Sequence, residues 1–197
     1  MSDPASAPRV HAETRADWRK WLAANYAREN SVWLVSWRKP TGKPAVSYDD
    51  AVLEAVAVGW VDSKGLKLDD ERTMLYFARR SPRSGWSRSN KIRVEQLRRE
   101  GLMTPAGEQA IAEAQRNGQW SLLDDVENLI VPPQLGIEFE RNPGSRQNWD
   151  RFPPSARRAI LEWIAQARGA DTRARRISET ARQAALNERA NQRPRTP

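Results

Sequence analysis

Between Ser47 and Trp60 the chain reads SYDDAVLEAVAVGW, and beyond its first turn this segment is almost wholly apolar. Ser47 with Asp50 three residues on is a capping-box start, and Gly59 is a natural stop for a helix. A helix with no polar face has to be surrounded, so the rest of this region must supply walls on every side of it. The segments around it supply them. From Thr14, the run TRADWRKWLAANYAREN sets Trp18, Trp21, Leu22 and Tyr26 at helical spacing with Thr14 as N-cap. SVWLVSWRKP is β-branched and aromatic, apolar on both faces, and ends at Pro40, which predicts a buried strand over 32–37.

Further on, Trp60 to Lys67 and Thr73 to Ala78 read as a β-hairpin joined by the polar DDER. Ser87 or Ser89 caps a helix running to Glu100. Thr104-Pro105 opens another that Gly118 closes. The Gly, Pro and Asn punctuation from Pro133 to Asn148 reads as a loop. Beyond it PPSARRAILEWIAQARGADTRARRISETARQAALNERANQ reads as two helices, the first capped by Ser155 and the second by Asp171 or Thr172. The expected architecture is α+β, a small antiparallel sheet packed by several helices, with a C-terminal two-helix segment. Its expected divisions are a disordered tail over 1–13, a core over 14–132, a linker over 133–150, a basic two-helix segment over 151–190 and a disordered tail over 191–197.

Charge narrows the function. The chain of 197 residues carries a net charge of +8 with 29% charged and 39% hydrophobic residues. The charge is uneven: Arg72 to Arg99 holds nine basic residues against one acidic, and Ser155 to Pro197 holds ten arginines against four acids, so the remainder is net acidic. Two basic blocks on an acidic body suggest attraction to a polyanion. Cysteine is absent, which excludes disulfides, thiolate metal sites and cysteine nucleophiles. The single histidine, His11, lies in the Pro/Ala/Ser-rich N-terminal stretch, so a Ser-His-Asp triad or a histidine zinc site would need that stretch to dock. No apolar run has the length of a signal peptide or membrane span, and a cytoplasmic location without metal or cofactor is the expectation.

The sharpest candidate is RRSPRSGWSRSNKIR, Arg79 to Arg93. Arginines on a turn, serine hydroxyls and the free amides of a helix start form an anion cradle. Arg79, Arg80, Arg83 and Arg93 would hold the anion, Ser84, Ser87 and Asn90 would orient it, and Trp86 would cover it, beside the Trp60–Asp62 edge of the hairpin. The plain alternative is a loop whose Trp86 packs inward while its arginines pair with Asp62, Asp69 or Asp70. Asp62 and Lys64 could serve as acid and base, though no nucleophile elbow or phosphate fingerprint accompanies them. Trp37, Trp86, Trp120 and Trp149 are the tryptophans free to act as ligand contacts; Trp18, Trp21, Trp33, Trp60 and Trp163 read as core. Arg175, Arg182 and Arg189, seven residues apart, share a helix face that would suit nucleic acid.

Several of these stretches resemble one family. VWLVSWRKPTG, the run from Ser47 to Gly107 and the tail from PPSARRAILEW to RRISET are similar to the YdeI/OmpD-associated family, also called bacteriocin-protection or OmdA-like proteins. The resemblance runs from about Trp18 to Glu179. It is most specific at Gly59-Trp60-Val61-Asp62, Ser84 to Asn90, Gly101 to Gly107 and Thr172 to Ile177. It implies a non-enzymatic binding or stress-protection protein linked to tolerance of bacteriocins and cationic antimicrobial peptides through an envelope partner, without catalytic residues to carry over; the residues themselves add an unknown anionic ligand or protein partner. Two readings differ from it: a nucleic-acid-binding protein using both basic blocks, and an enzyme centred on Asp62 and Lys64.

Overall fold

The apolar helix from Ser47 organises the first half of the molecule. In the computed structural model, which describes Pro4 and residues 6–191, α2 (Tyr48–Ala57) is capped by Ser47, whose side chain accepts from the Asp50 N–H, and every residue from Ala51 to Ala57 is buried. The chain divides into two units, the first ending at Trp120 and the second beginning at Ser121.

In the first unit, a four-stranded sheet forms one wall of the core. Its strands are β1 (Arg9–His11), β2 (Ser31–Trp37), β3 (Trp60–Lys67) and β4 (Arg72–Arg79), in the order β1-β2-β4-β3. β1 runs parallel to β2 and the other pairs are antiparallel. Strand alternation sends Val32, Leu34 and Phe77 toward the helices, where they join Trp18, Leu22 and the apolar residues of α2. α1 (Arg15–Asn25), capped by Thr14, brings Trp18 and Leu22 into that core. α3 (Arg88–Arg99) adds Val94 and Leu97, and α4 (Pro105–Arg116) adds Ile111 and Ala114. The opposite face of the sheet buries Trp33, Val35, Met74 and Tyr76 in a smaller cluster.

Glu54 is the one carboxylate inside α2's buried run, 3% exposed. Arg15 Nε donates to it, and Arg19 donates through both Nε and Nη2. Burial alone would raise its pKa, but the hydrogen bonds from Arg19 and Arg15 outweigh that and hold the carboxyl below its ordinary value.

The second unit is helical: α5 (Asp124–Glu127), α6 (Pro133–Arg141), α7 (Ser145–Arg151), α8 (Pro154–Ala165) and α9 (Ala170–Ala185). They close over Leu135, Phe139, Trp149, Ile160 and Ile177, among others.

The architecture is α+β, as expected, and four expectations need correction. Residues 133–150 are not a linker: Pro133 is the first residue of α6, and Gly144, at φ 82°, opens α7, so residues read as breakers are helix boundaries. The division accordingly falls after Trp120 rather than after Pro132. Within 1–13, Arg9–His11 is a strand, because the extended backbone of β2 accepts it at Trp33 to Val35; residues 1–3 and 5 of the expected tail lie outside the described residues, as do 192–197 of the C-terminal one. α8 and α9 form the two-helix segment, but α8 follows Pro153 rather than a Ser155 cap, and α9 follows Gly169, so Asp171 and Thr172 lie inside its first turn.

Candidate anion-binding site

At the exit of α2 the chain turns through Gly59, whose φ of 76° only glycine adopts without strain. A Cβ there would sit 3.1 Å from the Ala106 carbonyl oxygen and 3.2 Å from Ala110 Cβ. That close approach lets α4 pass beside the corner. Thr104 joins the two helices: its N–H and hydroxyl both donate to the Ala57 carbonyl, at 3.1 and 2.8 Å, and its Oγ accepts from the Gly107 N–H. A cavity of about 520 Å³ opens beside this junction. Gly59 and Trp60, the end of α1 at Tyr26, the turn at Arg79–Arg80 and the face of α4 bearing Gln109, Ala110 and Glu113 line it.

Arg80 dominates that cavity. Its backbone N–H donates to the Gly59 carbonyl, so β4 delivers it to the corner. Its guanidinium lies over the Trp86 ring, 3.9 Å from the centroid, and Nη1 donates to the Ser84 hydroxyl at 3.2 Å and the Gly85 carbonyl at 2.9 Å. No carboxylate pairs with it among the described residues. Nε and Nη2 are buried without a partner, and so are Trp86 Nε1 and Gln119 Oε1 in the adjoining turn, where the Trp86 N–H donates to the Gln119 carbonyl. Three donors and one acceptor, four of the seven buried side-chain polar atoms without a hydrogen-bond partner among the described residues, are thus gathered at one corner. Burial pushes the Arg80 guanidinium down to about 10, with the charge of Asp62 only partly opposing it.

The other predicted residues fall into two groups. Trp60, Arg79 and Trp86 line the cavity with Arg80, and Ser84 tethers it. Arg79 is engaged with backbone: Nε donates to the Glu29 carbonyl and Nη2 to the Ala27 carbonyl, where the chain leaves α1. The second group gathers at the start of α2, where Arg93 pairs with Asp49 at 2.7 Å and donates to Asn90, while Tyr48 donates to Asp62 at 2.9 Å. Ser87 caps α3, accepting from the Asn90 N–H. Arg83 is exposed and lines no part of the cavity. One anion therefore does not meet all the residues expected to hold it.

Trp86 is fully buried rather than an exposed cover, because its ring packs against Trp120 at 5.2 Å and joins the main core. It borders the cavity as the platform beneath Arg80. Trp149 is likewise buried, in the second unit, while Trp37 and Trp120 are partly exposed. The expected pairing of the basic loop with Asp62, Asp69 or Asp70 is not what forms: Asp69 pairs with Arg72 and Asp70 with Lys67. Asp62 and Lys64, two residues apart, would share a face of a regular strand, but the register of β3 shifts between Asp62 and Gly65. Asp62 meets Tyr48 on the helical side, whereas Lys64 lies over the Trp33 ring on the other. An acid–base pair is not assembled. His11 is docked after all, edge-on to Trp37 at 4.8 Å, and no group of three metal-ligating side chains occurs among the described residues.

Sequence reasoning missed Gly59, Gln109, Glu113 and Gln119 as part of this corner. The spacing of Ala106, Gln109, Ala110 and Glu113 on one face of α4 was readable. What that face looks onto was not.

Two family matches divide the chain along the same lines. Residues 10–110, just over half of it, match a family described as Domain of unknown function (DUF8412), and residues 128–187 match OmdA, described as Bacteriocin-protection, YdeI or OmpD-Associated. The chain belongs to the DUF8412 family and carries an OmdA domain. No curated protein and no solved structure matches it. Of the stretches that resemble the OmdA-like proteins, only the tail, with Thr172 to Ile177, lies in the OmdA region; Gly59 to Asp62, Ser84 to Asn90 and Gly101 to Gly107 lie in the DUF8412 region. The Arg80 corner is thus a feature of the DUF8412 domain up to Ala110; just beyond its matched residues Glu113 and Ala114 line the cavity, and Gln119 meets the Trp86 turn behind it.

In the OmdA domain, Arg175 and Arg182 are exposed on α9, but Arg189 is not on their face: the helix ends at Ala185, Asn187 turns to φ 58°, and Arg189 lies over Phe152 at 5.7 Å. The seven-residue register that favoured nucleic acid stops after two members.

Proposed function

We propose that this protein is a non-enzymatic binding protein of the stress-protection kind, working in the cytoplasm in tolerance of bacteriocins or cationic antimicrobial peptides, and that its DUF8412 domain binds a small anionic ligand at Arg80. One observation carries the binding site: a buried guanidinium with two unpartnered N–H donors and no counter-ion stands at the wall of a cavity. A carboxylate or phosphate oxygen that shifts the cavity wall enough to reach Nε and Nη2 would satisfy donors that otherwise cost about 1–3 kcal/mol each to leave unmade. The aromatic and alanine surface around them, from Trp60 and Tyr26 to Ala110, suits a ligand whose anionic end is carried on an apolar body. The OmdA match at residues 128–187 supports the protective role.

The test is a tryptophan-fluorescence titration, since Trp60 and Trp86 both border the cavity. The probes are inorganic phosphate and the straight-chain carboxylates from acetate to octanoate, with wild type beside Arg80→Met. Saturable quenching in the wild type, weakened by about 1–3 kcal/mol in the variant, is expected. No saturable signal with any of these probes, or equal signals in both proteins, would sink the site assignment.

A further inference from the structure

The run Thr172 to Ile177 on α9 diverges in space. Ile177 is buried in the core of its unit. Arg176 turns toward α8, where Nη1 donates to the Trp163 carbonyl and the guanidinium lies over the Trp163 ring at 4.8 Å. Arg173 and Arg175 remain exposed, and no side-chain hydrogen bond or ion pair engages either among the described residues.

Those two arginines flank a trough. Along α9, Ala170, Ala174 and Ile177 recur at helical spacing and form one stripe, with Arg173 on one side of it and Arg175 on the other. The alanines keep this stripe low, and α6 rises opposite with Ile137, which is 49% exposed. The hollow between the two helices holds about 700 Å³. Arg173 also borders a second hollow of about 320 Å³, next to Ile130, which is 50% exposed. The carboxylate in the trough, Glu138, is occupied by Arg141. The surface therefore has two exposed isoleucines and two hollows arranged about Arg173 and Arg175, neither of them in an ion pair among the described residues, with the exposed Asp125 at the edge of the smaller hollow. Apolar anchor sites inside a charged rim are the anatomy of a protein interface.

We propose that this face of the OmdA domain docks an amphipathic helix of a partner protein, one with aliphatic anchors for the two hollows and carboxylates for Arg173 and Arg175. Two observations favour that occupant. The trough follows α9 for about two turns, the length over which a helix places anchors at i and i+3 or i+4. The free charge at its rim is positive on both sides, which selects an acidic partner over a basic or neutral one. This inference is independent of the Arg80 site.

The test selects random 16-residue peptides by display on the full-length protein, then measures the enriched peptides by fluorescence anisotropy. The expected result is a family of acidic peptides with aliphatic residues at helical spacing. Their affinity should fall at least tenfold in Arg173→Glu/Arg175→Glu and in Ile137→Asp, with added salt weakening the wild-type complex but not the double variant. Circular dichroism of both variants confirms that they fold; Arg173→Gln/Arg175→Gln and Ile137→Ser serve if the charged forms do not. Absence of such a family, or equal binding by the variants, overturns the proposal. So does a concentration-dependent dimer that Ile137→Asp abolishes, which would make a second copy the occupant. Arginine-dependent binding to phosphatidylglycerol vesicles or duplex DNA, without peptide selection, overturns it as well.

Discussion

Arg80 and Glu54 present opposite solutions to a buried charge. Glu54 is met by two guanidinium groups; Arg80 is met by a ring face, a hydroxyl and one carbonyl. Removing one partner of a buried pair strands the other, so Glu54→Gln should cost about 3 kcal/mol in chemical denaturation, at the low end of the usual range because Arg15 and Arg19 reach solvent. Because its folded pKa lies below the ordinary 4.5, the Glu54 contribution is complete above that pH and fades as pH falls through the lower folded value. Acid should thus erase most of the difference between wild type and Glu54→Gln. Arg80 behaves the other way. Its proton leaves near pH 10 rather than above 12, so the affinity of a permanently charged anion should be flat from pH 6 to 9 and fall as pH passes 10. At this scale the sequence was least informative: the serine-rich setting of Trp86 gives no periodicity to mark a buried side, and its burial comes from Trp120, over thirty positions away.

Helices proved legible where their ends carry chemistry. Thr14, Ser47, Ser87 and Thr104 each cap the helix they were expected to cap, because a side-chain acceptor at that position answers a local need of the backbone. β1 escaped notice because three residues of edge strand have no pattern of their own and take their form from β2. α6 and α7 escaped because proline and glycine mark a helix start and a loop with the same letters. The contact between α2 and α4 was also invisible in sequence. A Cβ on Gly107 would lie 2.3 Å from the Ala57 carbonyl oxygen, the atom to which Thr104 donates twice. Gly107→Ala must therefore push α4 off the end of α2, although alanine is the better helix former. We expect a loss of about 1–3 kcal/mol in urea denaturation, with a broadened cavity signal; a stabilised variant would mean that the helices are not held at this point.

Each family match lies within one unit, and each unit has its own buried cluster. Residues 1–120 and 121–197 expressed separately should each show far-UV circular dichroism matching their share of the helices and a cooperative thermal transition. A molten profile from either would show that its core is insufficient alone. The uncompensated charge at Arg80 has a practical corollary for the whole chain. A ligand that binds only the folded protein raises its melting temperature by mass action, about 2.7 kcal/mol at a hundred times the dissociation constant. Arg80→Met, which removes the stranded charge, should melt no lower than wild type and show no such rise. The protein is thus its own reporter: a thermal-shift screen of anionic metabolites, run on the two forms side by side, identifies the natural occupant as whatever raises one melting curve and leaves the other where it was.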